Sequence, residues 1–266
     1  MHIDLNGTVA IVTGAGRGIG KDIALTLARE GVATIGLDVS DDALVDVRAE
    51  LSEISAVNAT FACDVRDAAR ISEIVDQIDR DHGRIDLLVN NAGVVDSGTI
   101  DEVDEERWDF VHDVNVKGTF LMCRAVIPIM KRQARGRIIN AASFAAISPR
   151  VGSVLYATSK AAVAHFSRGL AGELGPWNIT VNAYAPGMIP TAMNHFAELP
   201  QAQQEELLNT LTLRRWGRAA DIANLICFLA SDQGGYITGT LIDISGGKLA
   251  TQIPHEAYDL AASHGA

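Results

Sequence analysis

The stretch Val9-Ala10-Ile11-Val12-Thr13-Gly14-Ala15-Gly16-Arg17-Gly18-Ile19-Gly20 runs from an apolar strand straight into a glycine-rich turn. A helical apolar pattern, Ile19 to Glu30, follows at once. Val9 to Val12 are apolar at successive positions, as a strand covered on both faces should be. The glycines allow a tight turn and close backbone approach. The helix that starts there offers unpaired N–H groups and a positive dipole end to a pyrophosphate. The spacing is not G-x-G-x-x-G, because Ile19 occupies the place of the third glycine. It fits G-x-x-x-G-x-G through Gly14, Gly18 and Gly20, between a first strand and a helix, and so reads as a dinucleotide turn.

Outward from this turn, short β-branched runs alternate with helical patterns. Val9 to Thr13, Thr34 to Asp38, Ala59 to Cys63, Ile85 to Asn90, Arg137 to Ala142, Ile179 to Ala185 and Thr240 to Ile244 read as strands. Ile19 to Glu30, Ile71 to Arg80, Arg107 to Met130, Tyr156 to Leu174 and Ala220 to Leu229 read as helices. That order predicts an α/β fold: a doubly wound, mostly parallel sheet of about seven strands with helices on both faces. No linker or repeat interrupts it, so residues 1–247 read as one domain. The alternation breaks at a loop of about 188–217 and at a tail, 248–266.

The chain has 266 residues, 48% of them hydrophobic and 21% charged, which is ordinary globular usage. A net charge of −11 argues against an extended nucleic-acid partner, which needs a basic face. Cys63, Cys123 and Cys227 are far apart and odd in number, which fits a reducing compartment. The first residues lack a basic-then-apolar leader, and no apolar run approaches the roughly 18 residues of a membrane span. A cytoplasmic protein without a membrane partner is the expectation. The histidines are scattered without carboxylate clusters, so no catalytic metal is expected.

Asp38 ends the second strand, 18 residues beyond Gly20. A carboxylate there accepts hydrogen bonds from an adenosine ribose and repels a 2′-phosphate. This favours NAD over NADP. Arg17 points the other way, but it is free to swing into solvent, and Val39 supplies no compensating cation. Asp64-Val65 after the third strand is suited to the adenine amino group. Asn90-Asn91-Ala92-Gly93 offers small residues for close backbone contact with the cofactor.

Tyr156 and Lys160 share one helix face, about 5–6 Å apart at their Cβ atoms. A fixed cation beside a phenol favours the phenolate and lowers its pKa from about 10. The pair is therefore a candidate acid/base unit.

These motifs, in this order and with Asn115, Ser143 and Pro186-Gly187 in place, resemble the short-chain dehydrogenase/reductases over Leu5 to about Gly247. The resemblance implies a catalytic tetrad of Asn115, Ser143, Tyr156 and Lys160. In it Tyr156 moves the proton, Ser143 hydrogen-bonds the substrate oxygen, and Lys160 tunes Tyr156 and binds the nicotinamide ribose. Asn115 holds a relay water. The resemblance also implies cofactor contacts from Pro186, Gly187, Ile189 and Thr191, although Pro190 restricts Ile189 and can displace the threonine. A homotetramer follows from the same likeness. Substrate choice falls to variable loops, where Arg150, Met193 and His195 are candidate contacts, Arg150 as a clamp for a carboxylate or phosphate. The tail is expected to cross a subunit interface. The favoured activity is NAD-dependent oxidation of a small polar alcohol (polyol, sugar or hydroxy acid) or reduction of its ketone. A 3-oxoacyl-(acyl-carrier-protein) reductase is the alternative, and a non-catalytic dinucleotide sensor or scaffold a third reading.

Overall fold

A computed structural model of the chain describes residues 3–191, 194 and 196–263. Seven strands, β1 (Val9–Thr13), β2 (Ala33–Asp38), β3 (Ala59–Ala62), β4 (Leu87–Asn90), β5 (Gly136–Ala141), β6 (Ile179–Pro186) and β7 (Leu241–Ile244), form one parallel sheet in the order β3-β2-β1-β4-β5-β6-β7. The order reverses direction between β1 and β4, which pair through Ala10↔Leu87 to Val12↔Val89. Crossovers leave the sheet in opposite directions there. A crevice opens at the carboxyl ends of the two strands, where Gly14 and Asn91 stand.

Strand period decides which helices cover which face. Ile11, Leu88, Ile138 and Val181 point to the face packed by α3 (Ala68–His82), α5 (Gly118–Gln133) and α6 (Val154–Leu174). Ala10, Val12, Leu87 and Ile139 point to the opposite face, under α1 (Gly18–Arg29) and α8 (Ala219–Ala230). Alternate residues of one strand thus feed two cores, which is why the strands read as unbroken apolar runs. α2 (Asp41–Ile54) is additional to the helices expected from periodicity. Its buried stripe is only Leu44, Val47 and Leu51, and Ser40 caps it by accepting from the Ala43 N–H at 3.3 Å.

The helix expected over Arg107 to Met130 is in fact α4 (Glu105–His112), a widened π turn at Asp113–Lys117, and α5. One extra residue per turn is what a side chain locked to its surroundings imposes on a helix. Here that side chain is Asn115, 1% exposed and hydrogen-bonded on both sides. Beyond β6 the chain forms a short 3₁₀ turn (Phe196–Glu198) and α7 (Gln201–Leu208), both lying in the expected variable loop. The tail folds back on that loop: Leu211 and Lys248 make an antiparallel bridge, and Tyr258 in α9 (Glu256–Ser263) donates to the Thr212 carbonyl at 2.7 Å. No helix among the described residues is long and apolar enough to cross a membrane.

Gly20 carries the close packing of β1, α1 and β4. A Cβ there would sit 2.0 Å from the Gly14 carbonyl oxygen and 2.5 Å from Asn91 Nδ2. Alanine ordinarily gains about 0.5–1 kcal/mol over glycine inside a helix. A clash with backbone outweighs that gain, at about 1–3 kcal/mol. Gly20→Ala should lower the melting temperature by several degrees in thermal unfolding; a variant as stable as the parent would contradict this packing.

Candidate active site

The crevice is a cleft of about 370 Å³ that runs from Asp38 past the glycine turn to Tyr156 and Lys160. Its floor is shaped by missing side chains. A Cβ on Gly14 would lie 2.9 Å from Ala92 Cα, and one on Gly16 would lie 2.3 Å from the Ala43 carbonyl oxygen. Gly14 has φ +66° and Gly18 φ +54°, left-handed values that glycine tolerates. Asn91 braces this floor: its Nδ2 donates to the Thr13 and Gly14 carbonyls at 3.1 and 3.3 Å. Its Oδ1 accepts from the buried Tyr184 hydroxyl at 3.0 Å. Tyr184 lines the cleft unforeseen, because inside an apolar strand it reads as core.

At the outer end, Asp38 is aimed by two backbone donors. The Gly16 N–H donates to Oδ2 and the Val39 N–H to Oδ1, each at 2.8 Å. Arg17 is exposed on the cleft wall. Asp64 and Val65 also line the cleft, but the Asp64 carboxylate is engaged by the Arg66 guanidinium at 2.6–3.0 Å. That hydrogen-bonded pair holds Asp64 below its ordinary carboxylate range. The carboxylate expected to meet the adenine is thus half of an ion pair, and Arg66 joins the cleft wall.

At the inner end, three residues converge. Ser143 caps the 3₁₀ turn Phe144–Ala146, accepting from the Ala145 N–H at 3.1 Å, and its hydroxyl also hydrogen-bonds the Tyr156 phenol. A hydroxyl has one donor and two acceptor sites, so capping leaves the donor available. Lys160 is 4% exposed, donates from Nζ to the Ala141 carbonyl at 2.9 Å, and lies 5.8 Å from the Tyr156 ring centroid. Burial pulls its ammonium down to about 8. Burial also pushes the Tyr156 phenol above its ordinary value, with Ser143 opposing. The expected depression by Lys160 is therefore not what sets the phenol's direction here; desolvation is.

Asn115 also departs from expectation. Its Oδ1 accepts from the Val94 N–H at 2.9 Å, and its Nδ2 donates to the Val94 carbonyl at 3.0 Å and to Ser159 Oγ at 2.9 Å. The side chain is a brace between the β4 loop, the π turn and α6, rather than a free amide holding water. Gly93 lets the parts meet: a Cβ there would lie 3.1 Å from both Asn115 Oδ1 and Lys160 Nζ.

Of the remaining expected contacts, Gly14, Gly18, Ile19, Gly20, Ala92, Gly93, Pro186 and Thr191 line the cleft, and Gly187 and Ile189 do not. Gly187 lets β6 approach β7, since a Cβ would sit 2.6 Å from Ser245 Cα. Ile189 packs into the core. Asn194 orders the Thr191 loop, accepting from the Thr191 N–H at 3.1 Å and donating to the Ile189 carbonyl at 2.7 Å. Arg150 stands outside the dinucleotide cleft, on an exposed turn before α6. Met193 and His195 lie outside the described residues.

A family model described as enoyl-(acyl carrier protein) reductase matches residues 14–248. The 3-oxoacyl-[acyl-carrier-protein] reductase of Thermotoga maritima is 39% identical over 243 residues, covering 91% of this chain and 98% of that protein. A (2S)-[(R)-hydroxy(phenyl)methyl]succinyl-CoA dehydrogenase subunit of Thauera aromatica is 38% identical over 247 residues, covering 92% and 97%. The crystal structure of an NAD⁺-bound xylitol dehydrogenase superposes with a TM-score of 0.87 at 32% identity, covering 91% of this chain and 99% of that one. The chain belongs to the short-chain dehydrogenase/reductase family, oxidoreductases that act on a CH–OH or keto group with a nicotinamide dinucleotide.

Two outcomes follow from the inner end. Tyr156→Phe should cut turnover by about 10²–10⁴-fold while dinucleotide affinity, read by fluorescence titration, stays within about threefold. Activity surviving the change would remove Tyr156 from proton transfer. Because burial holds the phenol above its ordinary value, the proton-accepting form is scarce at neutral pH. Alcohol oxidation should accelerate steadily from about pH 7 to beyond 10, and Lys160→Met should slow it most below about pH 8, where the parent's ammonium is charged. A flat profile in both proteins would contradict the assignment.

Proposed function

We propose that the chain interconverts a 3-hydroxyacyl thioester and the corresponding 3-oxoacyl thioester with NAD(H). The observation that carries the chemistry is the convergence of Ser143, Tyr156 and Lys160 at the inner end of a glycine-floored cleft. The cleft fits a dinucleotide, because side chains are missing where a pyrophosphate needs backbone approach. When bound, the dinucleotide gives a hydride to the ketone or takes one from the alcohol. During reduction, the carbonyl oxygen receives the Tyr156 proton and a hydrogen bond from the Ser143 hydroxyl. The Lys160 ammonium lies beside the phenolate that this leaves and stabilises it. During oxidation the phenolate takes the hydroxyl proton back.

Asp38 supports NAD over NADP: a carboxylate fixed by two backbone donors cannot turn away from a 2′-phosphate. The relatives support a thioester over the polyol or sugar favoured by sequence alone. One is a 3-oxoacyl carrier-protein reductase, and another oxidises a secondary hydroxyl on a succinyl thioester. The likeness to xylitol dehydrogenase keeps a polyol as the second reading. Exposed Trp108, Phe110 and Phe120 on α4 and α5 support assembly of several copies through that face.

The cofactor reading predicts kcat/KM for NADH above that for NADPH by at least about tenfold, and Asp38→Ser should narrow the ratio. NADPH preference in the parent enzyme would overturn it. For the substrate, a 3-oxoacyl N-acetylcysteamine thioester with NADH should exceed xylitol with NAD⁺ in kcat/KM. The reverse order would favour the polyol.

A further inference from the structure

Tyr184 stands at the reacting end of the cleft, yet its hydroxyl serves the other end. The residue is fully buried in β6 and lines the cleft together with Ala141, Ala142 and Tyr156. β5 lies between β6 and β4 in the sheet, and its residue paired with Tyr184 is Ala141. That small neighbour leaves the phenol room to lean across β5 and donate to Asn91 Oδ1, just past β4, at 3.0 Å. Burial pushes the phenol above its ordinary value, so it remains a donor throughout the assayable pH range.

Asn91 is where this bond acts. Thr13 Oγ1 accepts from the Asn91 and Ala92 N–H groups, each at 3.0 Å. That fixes the backbone there and leaves the orientation of the side-chain amide to be set separately. The amide occupies space that side chains vacate in the glycine turn: its Nδ2 is 3.0 Å from an ideal Cβ on Gly14 and 2.5 Å from one on Gly20. Its N–H bonds must face the Thr13 and Gly14 carbonyls, because the reversed amide would set oxygen against oxygen. A donor on the opposite side enforces that orientation, and among the described residues Tyr184 supplies it. Without the hydroxyl, Oδ1 loses its donor at a part-buried position, the costly half of a broken hydrogen bond.

We propose that Tyr184 is a positioning residue for the pyrophosphate turn: from the nicotinamide end of the cleft it sets, through Asn91, the grip on the ADP-ribose half of the dinucleotide. The turn it orders is the stretch where Gly14 and Gly18 take left-handed values and helix-terminal N–H groups face an anion. A turn already held in one conformation loses less freedom on binding than one that must be ordered first. This rests on the dinucleotide site and is independent of whether the substrate is a thioester or a polyol.

ADP-ribose, which lacks the nicotinamide, separates the two ends. Titrations of NADH by fluorescence and of ADP-ribose by calorimetry compare the parent with Tyr184→Phe, which keeps the ring and removes only the hydroxyl. Both affinities should fall by the same factor, about tenfold. In an Asn91→Ala background the same change should cost either ligand no more than about twofold, because its partner is already gone. ADP-ribose bound by Tyr184→Phe within about threefold of the parent overturns the proposal. So does a loss confined to NADH, which would assign Tyr184 to direct contact with the nicotinamide. A full loss repeated in the Asn91→Ala background overturns it as well. Thermal unfolding checks that each variant is folded at the titration temperature. Tyr184→Met, a flexible side chain without a hydroxyl, takes the place of the phenylalanine variant if that one is not. A parent that binds NADPH and not NADH refutes the cofactor preference alone; NADPH and 2′-phospho-ADP-ribose are then the probes.

Discussion

The Gly14 carbonyl oxygen occupies the space that any side chain on Gly20 would need, 2.0 Å from an ideal Cβ. That single close approach ties the end of β1 to the first turn of α1. It fixes where the helix begins, and so where its unpaired N–H groups and positive end point. Asn91, at the end of β4, then bonds to the Thr13 and Gly14 carbonyls, so the two strands flanking the switch point share one polar hinge. Tyr184 reaches across from β6 to the same asparagine, which carries the constraint to the far side of the cleft. The dinucleotide floor is therefore built from what is absent at three glycines and from one amide that binds two backbone carbonyls and the Tyr184 hydroxyl.

The catalytic end rests on a second constraint, a buried ammonium without a counter-ion. Lys160 has the Ala141 carbonyl as its hydrogen-bond partner and no carboxylate among the described residues. Desolvation alone brings it down to about 8, close enough to neutrality that small changes in its surroundings alter its protonation. Such a position is costly for folding unless neighbouring elements hold it in place. The holding falls to Asn115, whose π turn inserts an amide between Val94 and Ser159, the residue preceding Lys160. A straight α-helix over the same residues would carry that amide elsewhere on its surface. The irregular turn and the buried lysine are thus two parts of one arrangement, which is a common reason for π turns at functional sites.

Much of this was legible in the sequence because it is local. Strand runs, the glycine turn and the Tyr156–Lys160 spacing each depend on residues within a few positions of one another. What escaped depends on contacts between distant segments. The close approach of Gly187 to Ser245 is an example, and the ion pair that Arg66 makes with Asp64 escaped too, although the two are close in sequence. Tyr184 is indistinguishable from core until its hydroxyl is seen to meet Asn91. The π turn is invisible because one extra residue leaves the apolar rows on either side intact. α2 escapes for a different reason: covering only α1 and the sheet edge, it buries too narrow a stripe for its periodicity to stand out.

Charge shows the same division between what composition tells and what geometry decides. The chain carries −11 overall, which argues against an extended nucleic-acid partner but leaves a small anion open. Yet exposed charges are screened over about 8 Å at physiological salt, so the sum says little about a point inside a cleft. Within the cleft the nearest groups are the backbone amides of the glycine turn, the exposed Arg17 and the buried Lys160, while Arg66 is largely neutralised by Asp64. Among the described residues that line the cleft, Asp38 is the carboxylate without a cationic partner, held by the Gly16 and Val39 amides. An acidic protein thus presents a locally positive path to a pyrophosphate and one fixed negative group at the ribose. The proposed preference for NAD rests on that local carboxylate and not on the charge of the whole.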